Sequence, residues 1–244
     1  MTAHRSPPDL RPPLVLVHGA ANSARVWTLW RRELEGRGWA VHTPDLRGHG
    51  EHAGVDLSTT GMADYAADVV AVARALARPP ALVGWSMGGL VAMMAAAATS
   101  AVACIGLAPS TPRAARDPKV PLRSGTFGAE TYGITSDDPT TQPSMPDLDL
   151  EERRIALASL SRESLLARDE RQAGIVLDPL PCPLLIVTGT ADRSWPRERY
   201  ADLTLPASHL SVDGASHWGL VLNRRVLPTL IPDVVGWLDG IVAG

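Results

Sequence analysis

The sequence predicts an α/β fold, with a mostly parallel, twisted sheet of about six strands and helices on both faces. Short apolar runs alternate with longer segments of helical periodicity along most of the chain. Apolar runs without polar alternation are typical of parallel strands that are buried on both faces. One long segment in the middle of the chain interrupts the alternation, which indicates an inserted cap.

The individual elements follow from this pattern. A strand is predicted at residues 14–17, because L-V-L-V follows a double proline and precedes His18 and Gly19. Further strands are predicted at residues 40–43, 81–83, 102–107, 184–187 and 209–212. Helices are predicted at residues 26–37, 62–77, 86–98 and 150–172, near 196–203, and at about 224–241. Pro228 and Pro232 should break the last helix or delay its start.

Residues 110–178 form the predicted insertion. Its first part is rich in Pro, Ser, Thr, Asp and Gly, and the whole segment is too long for an ordinary connection. We therefore expect residues 1–109 and 179–244 to form the core. The insertion should be a cap or lid over the carboxyl ends of the strands, the edge at which open α/β sheets bind ligands.

Composition argues against several kinds of partner. The 244 residues carry a formal net charge of −3 and no basic stripe, so nucleic acid is not an expected partner. No apolar run approaches the roughly 20 residues that a membrane helix needs, and residues 1–13 lack the apolar region of a secretory signal. Cys104 and Cys182 show no metal-ligand spacing, so we expect two buried, reduced thiols and a cytoplasmic protein.

A serine nucleophile is predicted at Ser86. The motif G-W-S-M-G-G at residues 84–89 matches G-x-S-x-G, in which the serine occupies a strained turn between a strand and a helix. Small residues two before and two after the serine let the strand and helix pass close together, and Gly84 and Gly88 meet this demand. The predicted strand before the motif and the predicted helix after it supply the required context.

The predicted base is His217, and the predicted acid is Asp192. A serine hydroxyl is a poor nucleophile at its own pKa and needs a base. In this arrangement the chain order is serine, acid, histidine, and both candidates follow predicted strands. Asp213 is the alternative acid. It lies on the same loop as His217, however, and the position directly after a strand favours Asp192.

Two backbone N–H groups are expected to bind the negatively charged oxygen of a tetrahedral intermediate. One belongs to Met87, directly after the nucleophile at the start of a helix. The other should come from the loop after the first strand, where Ala20 is the first choice and Ala21 the next. His18 and His49 lie in glycine turns, where we expect structural hydrogen bonds.

Together these motifs resemble the α/β-hydrolase superfamily. H-G at residues 18–19, D-L-R-G-H-G at 45–50, the serine motif at 84–89, G-T-A-D at 189–192 and S-H at 216–217 occur in its order and spacing. The short start is similar to small carboxylesterases, methyl-ester esterases and hydroxynitrile lyases. The resemblance implies the α/β-hydrolase fold with a Ser-Asp-His triad. It does not extend to haloalkane dehalogenases or soluble epoxide hydrolases, which need a carboxylate nucleophile.

The expected function is hydrolysis of a carboxylic ester or thioester through an acyl-enzyme. A non-hydrolytic lyase, cyclase or acyltransferase on the same triad is the alternative, and a binding module that has lost catalysis is a third hypothesis. The substrate is expected to be a small acyl compound, either free or bound to a carrier protein. Type II thioesterases have a similar motif, although they usually have histidine where this chain has Trp85. The chain shows no Gly-rich phosphate loop or metal cluster, so no cofactor and no metal are expected.

Six residues are candidates for the substrate pocket. Trp85 and Trp218 adjoin the nucleophile and the base, and they should border the pocket or pack beneath it. Ala21 lies on the loop after the first strand. The insertion offers three further residues, which could equally form a small core of its own: Phe127, Tyr132 and Met145. A mostly apolar pocket suits a medium-sized apolar or aromatic substrate. The oligomeric state stays open.

Overall fold

The computed structural model describes residues 11–243. Residues 1–10, which carry most of the expectation about a secretory signal, and residue 244 lie outside the described part. Within the described part, no helix is long and apolar enough to cross a membrane. Cys104 is buried, whereas Cys182 is only half-buried, and both are free thiols.

Six parallel strands form the central sheet. The described residues contain eight strands: β1 (Leu14–Val17), β2 (Val41–His42), β3 (Ala81–Trp85), β4 (Ala103–Leu107), β5 (Thr126–Phe127), β6 (Glu163–Ser164), β7 (Leu184–Gly189) and β8 (Ser208–Val212). The sheet order is β2-β1-β3-β4-β7-β8, with every neighbouring pair parallel. Strands β5 and β6 form a separate antiparallel pair in the insertion. The predicted fold class is therefore confirmed.

The helices differ from the prediction mainly in the insertion and at the end of the chain. The described residues contain seven α-helices: α1 (Thr28–Gly36), α2 (Met62–Ala75), α3 (Met87–Ala97), α4 (Leu150–Ala158), α5 (Leu165–Ala173), α6 (Gly219–Leu222) and α7 (Leu227–Ala243). The single helix predicted at 150–172 is two helices, because the chain between them turns to form β6. Helix α7 accepts Pro228 in its first turn, where no N–H is needed, and continues through Pro232. The helix predicted near 196–203 is a 3-10 turn, Arg197–Tyr200.

Alternate side chains of each strand enter two different cores. In β1, Leu14 and Leu16 pack with α1, α6 and α7 on one face of the sheet. Val15 and Val17 pack with α2 and α3 on the other face. All four side chains are almost completely buried. This two-sided burial explains why the strand sequences are apolar throughout.

The carboxyl ends of the strands carry the predicted site residues. Ser86 directly follows β3, while Asp192 and His217 lie in the loops after β7 and β8. From β1 the chain leads outward to β2, whereas β3 leads to β4 in the opposite direction. Open α/β sheets bind ligands at such a reversal of strand order. Ser86 and the loop that contains Ala20 flank this point.

Residues 110–178 also lie beside this edge of the sheet. The segment contains β5, β6, α4 and α5 between the core strands β4 and β7. Side chains of this segment line the same cavity as Ser86: Tyr132, Ile134, Pro139, Pro143, Ser144, Pro146, Arg153 and Arg171. The segment therefore forms part of the wall around the carboxyl ends of the strands.

Candidate active site

Ser86 occupies a strained turn between β3 and α3. Its backbone has φ 57° and ψ −122°, in the positive-φ region that residues other than glycine rarely adopt. Two backbone hydrogen bonds to the end of β4 and the loop after it fix the turn. The Ser86 N–H donates to the carbonyl of Leu107 at 3.0 Å, and the Ser110 N–H donates to the carbonyl of Ser86 at 2.9 Å. Strain that is held in this way is typical of functional sites.

Gly84 and Gly88 make this turn possible. A Cβ atom at Gly84 would lie 2.1 Å from the carbonyl oxygen of Gly88. A Cβ atom at Gly88 would lie 2.3 Å from the carbonyl oxygens of both Val17 and His18. Because these neighbours are backbone atoms, they cannot move aside as a flexible side chain would. The sequence motif therefore reflects close backbone packing between β1, β3 and α3.

His217 and Asp192 form a short pair, in which Asp192 is buried and His217 is half-buried. Their Nδ1 and Oδ2 atoms are 2.7 Å apart, and the Asp192 side chain is 1% exposed. The other carboxylate oxygen accepts hydrogen bonds from the N–H groups of Ser194 and Trp195, both at 2.9 Å. Burial opposes ionisation of Asp192, but these hydrogen bonds and the nearby imidazole outweigh it and lower its pKa. Asp192 is therefore an ionised acceptor that holds the imidazole through Nδ1.

Two tryptophans hold the loop that carries His217. The indole Nε1 of Trp85 donates a hydrogen bond to the carbonyl of His217 at 3.0 Å. Its ring centre lies 5.1 Å from the imidazole and 4.7 Å from the ring of Trp218. Both indoles are almost completely buried, yet each reaches the cavity wall. They therefore both pack beneath the site and border it.

Ser86 and His217 face the same cavity. The cavity has a volume of about 1050 Å³, and its wall includes Ser86, Asp192 and His217. No other histidine among the described residues lines it. The hydroxyl of Ser86 has no hydrogen-bond partner within residues 11–243, so it is free to contact a ligand. The runner-up acid, Asp213, instead accepts a hydrogen bond from Thr190 in an exposed turn.

The predicted oxyanion donors differ in whether their N–H groups are free. Ala20 borders the cavity, and Met87 is the first residue of α3. Their N–H groups have no acceptor among the described residues, as expected for Met87 at a helix N-terminus. The N–H of Ala21 is already used, because it donates to Glu163 Oε2 at 3.0 Å. Of the two alternatives on this loop, the structure leaves only Ala20 available.

His18 fixes the orientation of the peptide that carries the Ala20 N–H. Its Nε2 accepts from the Leu46 N–H at 3.1 Å, so the ring proton is on Nδ1, which donates to the carbonyl of Gly19 at 2.9 Å. Burial, together with the nearby charge of His49, lowers the pKa of His18 to about 4. Since this carbonyl is turned towards His18, the N–H of the same trans peptide points the opposite way.

The structure brings only part of the predicted pocket together. Trp85, Tyr132 and Trp218 line the cavity, whereas the other three candidates do not. Phe127 is buried against Tyr132 and Arg168, with ring centres 5.5 Å apart in the first contact. Met145 and Ala21 are buried in the core, and the backbone N–H of Ala21 binds Glu163. These three residues are buried and do not belong to the cavity lining.

Two carboxylates of the insertion, which the sequence analysis missed, hold the loops of the site. Asp147 accepts hydrogen bonds from the backbone N–H and the hydroxyl of Ser216, and from Asn223 at 3.1 Å. Glu163 binds the loop of Ala21. Neither residue belongs to a motif, so nothing in the sequence distinguishes them from ordinary surface acids. Among the described residues, no cluster of His, Cys, Asp or Glu could hold a metal ion.

Comparison with known proteins agrees with this architecture. The sequence profile of the alpha/beta hydrolase family matches residues 14–227. The chain is 30% identical over 233 residues to a pimeloyl-[acyl-carrier protein] methyl ester esterase of Xanthomonas campestris pv. campestris (strain B100). That alignment covers 84% of this chain and 88% of the relative.

Solved structures share the fold at low sequence identity. Polyneuridine aldehyde esterase superposes with a TM-score of 0.65 and 17% identity, covering 92% of this chain and 99% of the other. A variant of tomato methylketone synthase I gives a TM-score of 0.69 and 16% identity, covering 93% and 98%. The resemblance predicted from the motifs is confirmed by the family match over residues 14–227: this chain belongs to the alpha/beta hydrolase family.

Proposed function

We propose that this chain hydrolyses carboxylic esters through an acyl-enzyme formed on Ser86. The observation that carries the proposal is the hydrogen-bonded pair of Asp192 and His217, whose Oδ2 and Nδ1 atoms are 2.7 Å apart. This pair lines the same cavity as Ser86. In this pair the imidazole proton lies on Nδ1. Its Nε2 is therefore left to accept a proton from the serine hydroxyl.

Acylation follows from this arrangement. As the Ser86 oxygen bonds to the ester carbonyl carbon, its proton passes to Nε2 of His217. The carbonyl oxygen gains a negative charge, which the N–H groups of Ala20 and Met87 stabilise. When the intermediate collapses, the carbon–oxygen bond to the alcohol breaks, and His217 returns the proton to the departing alcohol. Asp192 stabilises the imidazolium between these two steps.

Deacylation repeats the sequence with water in place of the serine. Water gives a proton to His217 as it attacks the acyl carbon. The bond to Ser86 then breaks, and His217 returns that proton to the serine oxygen.

The insertion, residues 110–178, acts as a cap, because its side chains line one wall of the cavity and limit what can reach Ser86. The two free thiols, Cys104 and Cys182, fit the predicted cytoplasmic location.

Isotope incorporation tests hydrolysis directly. Methyl and p-nitrophenyl esters of graded chain length are incubated with the purified chain in heavy-oxygen water. Hydrolysis places one heavy oxygen in the released acid. A lyase or cyclase releases unlabelled product, and an acyltransferase passes the acyl group to another acceptor. Mass spectrometry after treatment with a fluorophosphonate probe should find the label on Ser86; failure of both experiments would contradict the proposal.

The cavity is more basic than the sequence analysis predicted, and this favours an anionic substrate. Arg171 and Arg193 line it, and neither has a carboxylate within 4.0 Å among the described residues. Arg153 also lines it, but its guanidinium is held by three backbone carbonyls of the insertion. Asp192, the only carboxylate among the described residues of the wall, is already paired with His217. We propose an ester whose acyl chain carries a negative group away from the ester. An acyl chain on a phosphate-bearing carrier arm has this chemistry, and relatives named pimeloyl-[acyl-carrier protein] methyl ester esterase fit it.

Arg171 is the residue with which to test this substrate class. Its Nη2 lies 3.3 Å from the Tyr132 hydroxyl, while its Nε is buried without an acceptor in the described part of the chain. Arg171→Gln should lower kcat/KM for a dicarboxylic acid monomethyl ester by about 10-fold or more, because a hydrogen bond to a charged group is lost. Turnover of the uncharged methyl ester of equal length should change little.

Arg154→Gln is the matched control for this experiment. Arg154 also belongs to the insertion, but it is exposed and pairs with Asp137 at 3.5 Å. Equal losses on charged and uncharged esters in Arg171→Gln would contradict the anionic substrate. Comparison of the free monomethyl ester with the same acyl group on a carrier protein then separates a free acid from a carrier-bound substrate.

A further inference from the structure

The segment between α4 and α5 binds the oxyanion loop from outside the core. We use the term oxyanion loop for residues 20–23. The Ser161 N–H donates to the carbonyl of Ala21 at 2.9 Å, and the Ala21 N–H donates to Glu163 Oε2 at 3.0 Å. Ala21 is therefore held on both sides, and it has φ 54°, a conformation that alanine rarely adopts.

Two further hydrogen bonds extend this contact along the same loop. The hydroxyl of Ser23 donates to the carbonyl of Ser159 at 3.0 Å, and the hydroxyl of Ser159 donates to Asn22 at 2.7 Å. The loop shape thus depends on the insertion as well as on the core.

Glu163 is a fully buried carboxylate with several donors around it. One oxygen accepts from the Tyr65 hydroxyl at 2.6 Å and from the Ser164 N–H at 2.7 Å. The other accepts from Ala21 and lies 3.5 Å from Nε2 of His49. Burial opposes the charge of Glu163, but His49 and Tyr65 outweigh it and lower its pKa to about 2. Three hydrogen bonds and the nearby His49 thus offset the desolvation cost that a buried carboxylate carries.

We propose that Glu163 is a positioning residue for ester hydrolysis: by binding the Ala21 N–H, it fixes the oxyanion loop so that the Ala20 N–H faces the substrate oxygen. This inference rests on the proposed function. Ala20 and Ala21 are adjacent, and the Ala20 carbonyl is held by the Asn22 side chain at 2.8 Å. Both the carbonyl and the N–H of the Ala20–Ala21 peptide group are therefore bound. This fixes the loop and leaves the Ala20 N–H to face the cavity.

His49 offsets the negative charge that Glu163 brings close to the oxyanion loop. A lone carboxylate near the oxyanion loop would repel the negative charge that develops on the substrate oxygen. Burial alone would lower the pKa of His49, but Glu163 raises it above its usual value, which favours the protonated form. The pair then has little net charge. Glu163 can hold the loop without opposing catalysis.

Glu163→Gln tests the proposal, because it keeps the size of the side chain but replaces one acceptor oxygen with an NH₂ donor. We expect kcat to fall by about 10- to 100-fold with KM within about threefold, since a misplaced oxyanion donor affects the transition state most. Affinity for a trifluoromethyl ketone, which forms a tetrahedral adduct with serine, should fall in parallel. Affinity for the matching alcohol, which forms no adduct, should not change.

Asp169→Asn is the matched control. Asp169 is another fully buried carboxylate of the insertion, but it pairs with Arg123 and does not contact the oxyanion loop. The Asp169→Asn variant should keep kcat within about threefold of wild type, even if its melting temperature changes. If Glu163→Gln does not fold, Glu163→Asp, which keeps the charge but shortens the reach, should show the same pattern of losses.

Unchanged kcat in a folded Glu163 variant would overturn the proposal, and so would equal losses of affinity for the ketone and the alcohol. Hydrogen exchange at the Ala21 amide separates this failure from failure of the proposed function, because it needs no activity. Exchange should be faster in Glu163→Gln than in wild type or Asp169→Asn. If exchange behaves so but the wild-type chain hydrolyses no ester, the positioning contact stands and the proposed reaction is wrong.

Discussion

Ser86→Ala is expected to lower kcat/KM for any hydrolysed ester by about 10⁴-fold or more. The hydroxyl is the proposed nucleophile, and its loss leaves only substrate binding and the oxyanion donors to assist attack by water. Alanine keeps the Cβ atom and the strained backbone of the turn. The melting temperature should therefore stay within about 2 °C of wild type, as expected when no buried contact is lost.

Ser110→Ala is the appropriate control for this variant. Ser110 is buried nearby, and its backbone N–H binds the carbonyl of Ser86. Its own hydroxyl has no hydrogen-bond partner in the described part of the chain. Activity should stay within a few-fold of wild type. Substantial turnover by Ser86→Ala, after exclusion of contaminating esterase by active-site titration, would show that another group attacks the ester.

The sheet could be predicted from the sequence because its strands are short and apolar. In β1, each of the four residues enters one of the two cores, so L-V-L-V has no polar position that could be mistaken for a loop or a helix face. The strained turn at Ser86 was equally predictable. It depends on Gly84 and Gly88, where backbone contacts exclude any other residue.

The insertion was less predictable because its structure depends on contacts with distant parts of the chain. Glu163 binds Tyr65 and Ala21, which lie far away in the sequence, and no local pattern marks such a contact. The helix predicted at 150–172 was wrong for the same reason: residues 159–164 turn to reach the oxyanion loop and β5. Local periodicity shows which segments are helical, but it does not show where tertiary hydrogen bonds interrupt them.

Asp192→Asn is expected to lower kcat by about 10⁴-fold, as is typical for loss of the acid in a triad. One oxygen of Asp192 accepts two backbone N–H groups, and an asparagine would keep its carbonyl oxygen there. Its NH₂ group would then face Nδ1 of His217, which must accept instead of donate. The imidazole proton would move to Nε2, the atom that must take the proton of Ser86.

Asp213→Asn is the control, because this alternative acid binds only Thr190 in an exposed turn and should change kcat by less than about threefold. The free energy of unfolding gives a second, independent test of the role of Asp192. The pKa of folded Asp192 lies below its usual value of 3.8, so ionised Asp192 stabilises the fold above about pH 4. This contribution is lost as the pH falls through the lowered pKa. The stability difference between wild type and Asp192→Asn should therefore shrink in acid. A large loss of kcat in Asp213→Asn instead, with Asp192→Asn active, would assign the acid to the other aspartate.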